Sequence, residues 1–199
     1  MNSKSFLALG DSYTVGEAVE PNERWSHQLC DFLNAKGFNI EYPKIIAQTG
    51  WTTFELQQAI DEANIDQKYD LVSLLIGVNN QYRGESIEQF AEEFKSLLNQ
   101  ALAFANHIKQ HVIVISIPDW GVTPFAEGRD RSKIAQEINL FNQTKRAITE
   151  EMGIAFFDIT PLTKLAETDN SLNASDGLHP SVLMYQKWAA LISEKFTGY

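Results

Sequence analysis

Phe6-Leu7-Ala8-Leu9-Gly10-Asp11-Ser12-Tyr13-Thr14 is the stretch that decides how this chain is read. An apolar run stops at Gly10 and a polar turn follows. A run of this length bounded by turn residues reads as a buried β-strand. As the first strand of a parallel sheet, it would deliver Ser12 to the carboxyl edge, where such sheets place their chemistry. Ser12 is therefore read as a nucleophile, and the remaining sequence is searched for what a serine nucleophile requires.

Working outward, Trp25 to Lys36 carries apolar residues at helical spacing, with Gly37 as a stop. Ile40 to Ala47 is a second strand whose Pro43 favours a sheet edge. Thr53 to Ala63 is a helix, and Leu71 to Ile76 is an apolar run of the kind covered on both faces. Then come a helix from Ile87 to Ala105, a strand from Val112 to Ile117, and a helix from about Arg131 to Met152. A short strand, Ile154 to Phe157, and a closing helix, Val182 to Phe196, complete the pattern. Strands alternating with helices imply right-handed crossovers. The expected fold is α/β: a three-layer α/β/α arrangement with a five-stranded parallel sheet in the flavodoxin-like order 2-1-3-4-5. No repeat or linker interrupts it, so one domain over residues 1–199 is expected.

The bulk properties narrow the function classes. The 199 residues suffice for a full core, and 44% hydrophobic with 21% charged residues is ordinary globular composition. A net charge of -10 repels nucleic acid, and the basic cluster Arg129-Asp130-Arg131-Ser132-Lys133 is interrupted by acid. Cys30 is the 1 cysteine, which excludes an internal disulfide and a thiolate zinc site; its spacing with Trp25, Leu29 and Leu33 makes it a buried small hydrophobe. No run is long enough to span a membrane. With no signal peptide visible, the chain reads as cytoplasmic as given, or as periplasmic or secreted if a leader preceded it.

The polar signals fall at strand ends. Gly10-Asp11-Ser12 follows strand one, Gly50 follows strand two, and Gly77-Val78-Asn79 follows strand three. Asp176-Gly177-Leu178-His179 follows the last strand and opens the last helix. In the expected strand order these four turns converge at one crevice. Serine hydrolysis needs a hydroxyl, a base, an acid to orient the base, and donors for an oxyanion. Ser12 supplies the first, His179 the second and Asp176 the third. Asn79 through its amide, Gly50 through an unshielded N–H, and Ser12 through its own N–H supply the donors. Taken singly, each is explicable as a cap or turn residue; their joint placement is what carries the reading.

In those blocks the sequence resembles the SGNH hydrolases, the GDSL esterase/lipase family. The resemblance extends from Phe6 to His179. The first block matches at Gly10-Asp11-Ser12, with Tyr13 where leucine is usual. The second matches at Gly50, the third at Gly77-Val78-Asn79 with Asn80 in place of aspartate, and the last at Asp176 and His179, followed by Pro180. The resemblance implies Ser12 as nucleophile, Gly50 and Asn79 as oxyanion donors, and Asp176 with His179 completing a triad. Lacking the second glycine of a Gly-x-Ser-x-Gly elbow, since Thr14 stands there, the chain departs from the α/β-hydrolase pattern.

The expected activity is hydrolysis of a small-molecule carboxylic ester through an acyl-enzyme, without cofactor or metal. Tyr13, Trp51, Asn80, Tyr82, Trp120 and Phe125 are the candidates for the substrate pocket. With no long apolar lid visible, short acyl chains or acetylated carbohydrate are expected, with a lysophospholipase or thioesterase of the same family as the alternative. A rival from another class is an FMN carrier, in which Ser12-Tyr13-Thr14-Val15-Gly16 would cradle a phosphate. A metal site at His107 and His111 lacks a third ligand nearby. Oligomeric state is not legible.

Overall fold

A computed structural model describes residues 3–196. Its sheet has five parallel strands: β1 (Phe6–Gly10), β2 (Lys44–Ala47), β3 (Leu71–Leu75), β4 (Val112–Ile115) and β5 (Ala155–Phe157), in the order β2-β1-β3-β4-β5. Every residue of β1, β3 and β4 is buried, as strands covered on both faces must be. β2 and β5 keep partial exposure and lie at the edges. Helices α1 (Ser12–Val15), α2 (Trp25–Ala35), α3 (Thr53–Ala63), α4 (Val78–Arg83), α5 (Ile87–Phe104), α6 (Arg131–Glu151), α7 (Thr160–Thr163) and α8 (Val182–Lys195) complete the chain with several single 3-10 turns. α2 packs along α8 on one face, while α3, α5 and α6 form the layer on the other. Among the described residues, no helix is long and apolar enough to cross a membrane.

Three local departures from the sequence-based reading have physical causes. Pro43 lies outside β2, which begins at Lys44, because a residue without an N–H cannot join the ladder there. Ile40 instead forms an isolated bridge with Lys4. β4 ends at Ile115, two residues short of expectation. Beyond it the Asn142 side chain stands in for a strand partner, accepting from Ile117 N–H at 2.8 Å and donating to Ile117 C=O at 2.9 Å. The segment after β3 is helix rather than loop. Gly77 at φ 124° and Gly84 at φ 71° bracket the single turn-and-a-half of α4. Cys30 is fully buried, with its thiol pushed up to about 12 by burial and by the charge of Asp31.

The topology creates the crevice. β1 lies between β2 and β3, so the connections from its carboxyl end and from that of β3 diverge to opposite faces. Gly10 pairs in register with both Ala47 and Leu75, which brings the turns after β1, β2 and β3 to one level.

Candidate active site

Gly10 permits the tight exit from β1: a Cβ there would overlap Thr14 Oγ1 and the Leu75 carbonyl. Asp11 is the N-cap of α1, accepting from Tyr13 N–H at 3.0 Å. Ser12 is therefore the first helical residue, not the cap. Its hydroxyl is free of capping, and its N–H belongs to the unsatisfied first turn of the helix.

The second half of the site comes from the segment before α8. Gly177 at φ 70° reverses the chain between Asp176 and His179. One Asp176 oxygen accepts from the N–H groups of Leu178 and His179, each at 2.9 Å. Below the turn, Ala174 N–H donates to His179 C=O at 2.7 Å and Ser181 N–H to Leu172 C=O at 2.9 Å. The loop is thus clamped at its base. His179 Nδ1 lies 2.6 Å from the other Asp176 oxygen, and Nε2 lies 2.9 Å from Ser12 Oγ. Burial would raise the Asp176 carboxyl. The hydrogen bonds from the His179 ring and from the two N–H groups outweigh it and hold the group below its ordinary value. Tyr13, itself buried, backs the imidazole with ring centroids 5.3 Å apart.

Gly50 and Asn79 face Ser12 across a cleft of about 180 Å³. Asn79 spends one amide N–H on Trp51 C=O at 2.9 Å, which fixes the side chain and leaves its second N–H. Gly50 adopts φ 86°, and its carbonyl is gripped by Arg83 Nη2 at 2.6 Å while Arg83 also pairs with Glu55 at 3.2 Å. The apolar wall is Tyr82, Trp120 and Phe125, with ring centroids 5.4 to 6.4 Å apart. Trp120 is pinned by Nε1–H donation to Gln81 at 2.8 Å, and Phe125 N–H donates to Gly177 C=O at 2.9 Å, tying the wall to the histidine turn.

Two sequence candidates for the pocket do not line it. Trp51 offers its backbone carbonyl to Asn79, while its ring packs against the core. Asn80 is fully buried on the other side of α4, accepting from Thr53 N–H at 3.2 Å and donating to Thr53 Oγ1 at 2.6 Å and Glu85 Oε2 at 2.7 Å. An aspartate at 80 would set a carboxylate against Glu85, which gives the amide a physical reason to be there. Thr49, Val78 and Leu178 line the cleft although their sequence context does not single them out. Beneath it, Lys145 is wholly buried beside Asp11. Its signal was present in the sequence: position 145 falls on the same helical stripe as Ile134, Ile138 and Phe141.

The sequence profile of the GDSL-like lipase/acylhydrolase family matches residues 8–187. The chain belongs to this family. Membership in the GDSL-like lipases and acylhydrolases makes it a carboxylic ester hydrolase, acting on small-molecule esters. The fold agrees with solved structures. TesA is 18% identical, with a TM-score of 0.73 over 96% of this chain and 98% of that one. Axe2, an acetylxylan esterase from Geobacillus stearothermophilus, is 19% identical with a TM-score of 0.75, covering 98% and 94%. The psychrotrophic esterase EstA from Pseudoalteromonas sp. is 15% identical with a TM-score of 0.73, covering 96% of each chain. No curated protein sequence matches significantly. The FMN reading finds no support: the GDSL-like family is hydrolytic, Ser12 Oγ is engaged by His179, and the Thr14 hydroxyl that would meet a phosphate is fully buried.

Proposed function

We propose that Ser12 is the nucleophile of a short-chain esterase, with His179 as its base and Asp176 orienting that base. The observation that carries the reading is the unbroken hydrogen-bonded line from Asp176 through His179 to Ser12, 2.6 and 2.9 Å long. His179 Nε2 takes the Ser12 proton as Oγ attacks the ester carbonyl. The developing oxyanion is received by the N–H groups of Ser12 and Gly50 and by the second amide N–H of Asn79. His179 then gives its proton to the leaving alcohol, and water repeats the sequence to release the acid. Asp176, held ionised by its hydrogen bonds, stabilises the imidazolium that forms in each half.

The size of the cleft argues for the acyl length. Its volume is about 180 Å³, walled by Tyr82, Trp120 and Phe125. A small apolar pocket of this kind suits an acetyl to butyryl group better than a palmitoyl chain. The acetylxylan esterase among the structural neighbours keeps acetylated carbohydrate within the proposed substrate range. The test is a series of acetyl, butyryl, octanoyl and palmitoyl p-nitrophenyl esters with the wild type and Ser12→Ala. The expected optimum is at acetyl or butyryl, with Ser12→Ala losing at least about 10³-fold in kcat. A palmitoyl optimum overturns the acyl assignment, and full activity in Ser12→Ala overturns the nucleophile.

A further inference from the structure

Beyond the Tyr82 and Trp120 wall lies a second groove of about 410 Å³ that shares those two rings with the Ser12 cleft. On the esterase reading, an alcohol portion extending from Ser12 past Tyr82 would enter it. The groove is lined largely by charged side chains, and nearly all of them are already engaged. Arg83 is held by Glu55 at 3.2 Å and by Gly50 C=O at 2.6 Å. Lys133 faces Glu137 at 3.7 Å, and Glu137 also accepts from Gln81 at 2.8 Å. Asp130 caps α6 by accepting from Lys133 N–H at 2.9 Å.

Arg129 is different. Among the described residues it makes no ion pair with a carboxylate. Its guanidinium carbon sits 4.9 Å from the centroid of Phe125 and 5.5 Å from those of Tyr82 and Trp120. One nitrogen lies 3.4 Å from the Tyr82 hydroxyl. Cation–π attraction from three rings holds the group in place without neutralising it. The rings that hold it also line the Ser12 cleft. An immobilised fork of donors with no carboxylate partner suits a carboxylate or phosphate oxygen pair.

We propose that Arg129 anchors an acidic group, carboxylate or phosphate, on the alcohol side of the ester substrate. This rests on the esterase reading above. The alcohol portion then lies against Tyr82 and Trp120, with its charge one ring's width or more from the scissile bond. Arg129 acts in specificity: it holds the anion before and during acyl transfer and takes no part in the proton transfers.

The experiment compares three acetyl esters that differ only remotely from the reacting carbonyl: 4-acetoxyphenylacetate, 4-acetoxyphenyl phosphate, and the neutral methyl ester of the first. The readout is the ratio of kcat/KM for each anion to that for the neutral ester, so any general loss through the aromatic wall cancels. A charge-assisted hydrogen bond at an exposed rim predicts a ratio of about tenfold in the wild type for at least one anion. The ratio should fall to about one in Arg129→Met through a rise in KM, recover in part in Arg129→Lys, and shrink with added salt. The carboxylate and phosphate arms identify which acid is recognised. A wild-type ratio of one or below, or a ratio that Arg129→Met leaves unmoved, overturns the proposal. Failure to cleave even the neutral ester would instead strike at the esterase reading.

Discussion

Replacing Lys145 by methionine tests how the sheet edge beneath the cleft is held. The ammonium is wholly buried and donates to Ile76 C=O at 2.9 Å and Ile115 C=O at 2.8 Å, with the Phe94 ring centroid 5.5 Å away. Ile115 ends β4, and Ile76 follows the last residue of β3 and directly precedes the turn that carries Asn79. Burial pushes the Asp11 carboxyl up from 3.8 to about 7, against the pull of Tyr13 N–H and of Lys145. Burial pushes Lys145 down from 10.5 to about 7, against the attraction of Asp11. Methionine fills most of the volume but removes both hydrogen bonds and the counter-charge. Leaving two buried carbonyls without their donor costs about 1–3 kcal/mol each, about 2–6 kcal/mol together. At about 2–4 °C per kcal/mol for a chain of this size, Tm should fall by about 4–24 °C.

The pH dependence sharpens the test. From about pH 4 to 7 the folded state binds more protons than the unfolded state through Asp11, so stability falls as pH rises, in wild type and variant alike. From about pH 7 to 10 the unfolded state binds more protons through Lys145, so the wild type regains stability. The variant has lost that contribution, and its Asp11, without a counter-charge, keeps the downward trend above pH 7. Urea denaturation at pH 5.5 and pH 8.5 should therefore show a larger gap between the two proteins at the higher pH. A gap under about 1 kcal/mol at both values, or one that narrows at pH 8.5, would refute the reasoning.

Other perturbations follow from the same geometry. Asn79→Ala removes one of the proposed oxyanion donors and should lower kcat about 10²–10³-fold while the circular dichroism spectrum is retained; a loss below fivefold would remove that role. Asn80→Asp sets a carboxylate against Glu85 and should cost about 1–3 kcal/mol at pH 7.5. The pair shares a proton more readily as pH falls, so the deficit should shrink at pH 4.5; equal deficits at both pH values would contradict the contact. Gly10→Ala forces a methyl group onto Thr14 Oγ1 and the Leu75 carbonyl, and should cost about 3 kcal/mol in denaturation as well as most of the activity; a wild-type midpoint would contradict the close approach.

What the sequence disclosed was governed by the range of the interactions involved. The runs Phe6–Gly10, Leu71–Leu75 and Val112–Ile115 are apolar on both faces, so local pattern alone marks them as central strands. Their order follows from crossover handedness and short connections. The residues that meet at the crevice were legible because strand ends in this topology share one edge. Side-chain direction was not. Asn79 and Asn80 are adjacent in the chain, yet α4 turns one into the cleft and the other toward Thr53. A helical turn bracketed by Gly77 and Gly84 leaves too few residues for periodicity to reveal it. Where β4 stops was likewise hidden, because the side chain that caps it, Asn142, lies 25 positions away from Ile117.

The central claim is that the Ser12 hydroxyl is made nucleophilic by His179. Treating the folded protein with a fluorophosphonate and mapping the adduct by peptide mass spectrometry tests it directly. A single phosphonyl group on the peptide carrying Ser12, formed slowly or not at all in His179→Ala, is the expected result. An adduct on a different residue, or labelling of Ser12 at an undiminished rate without the imidazole, would contradict the account.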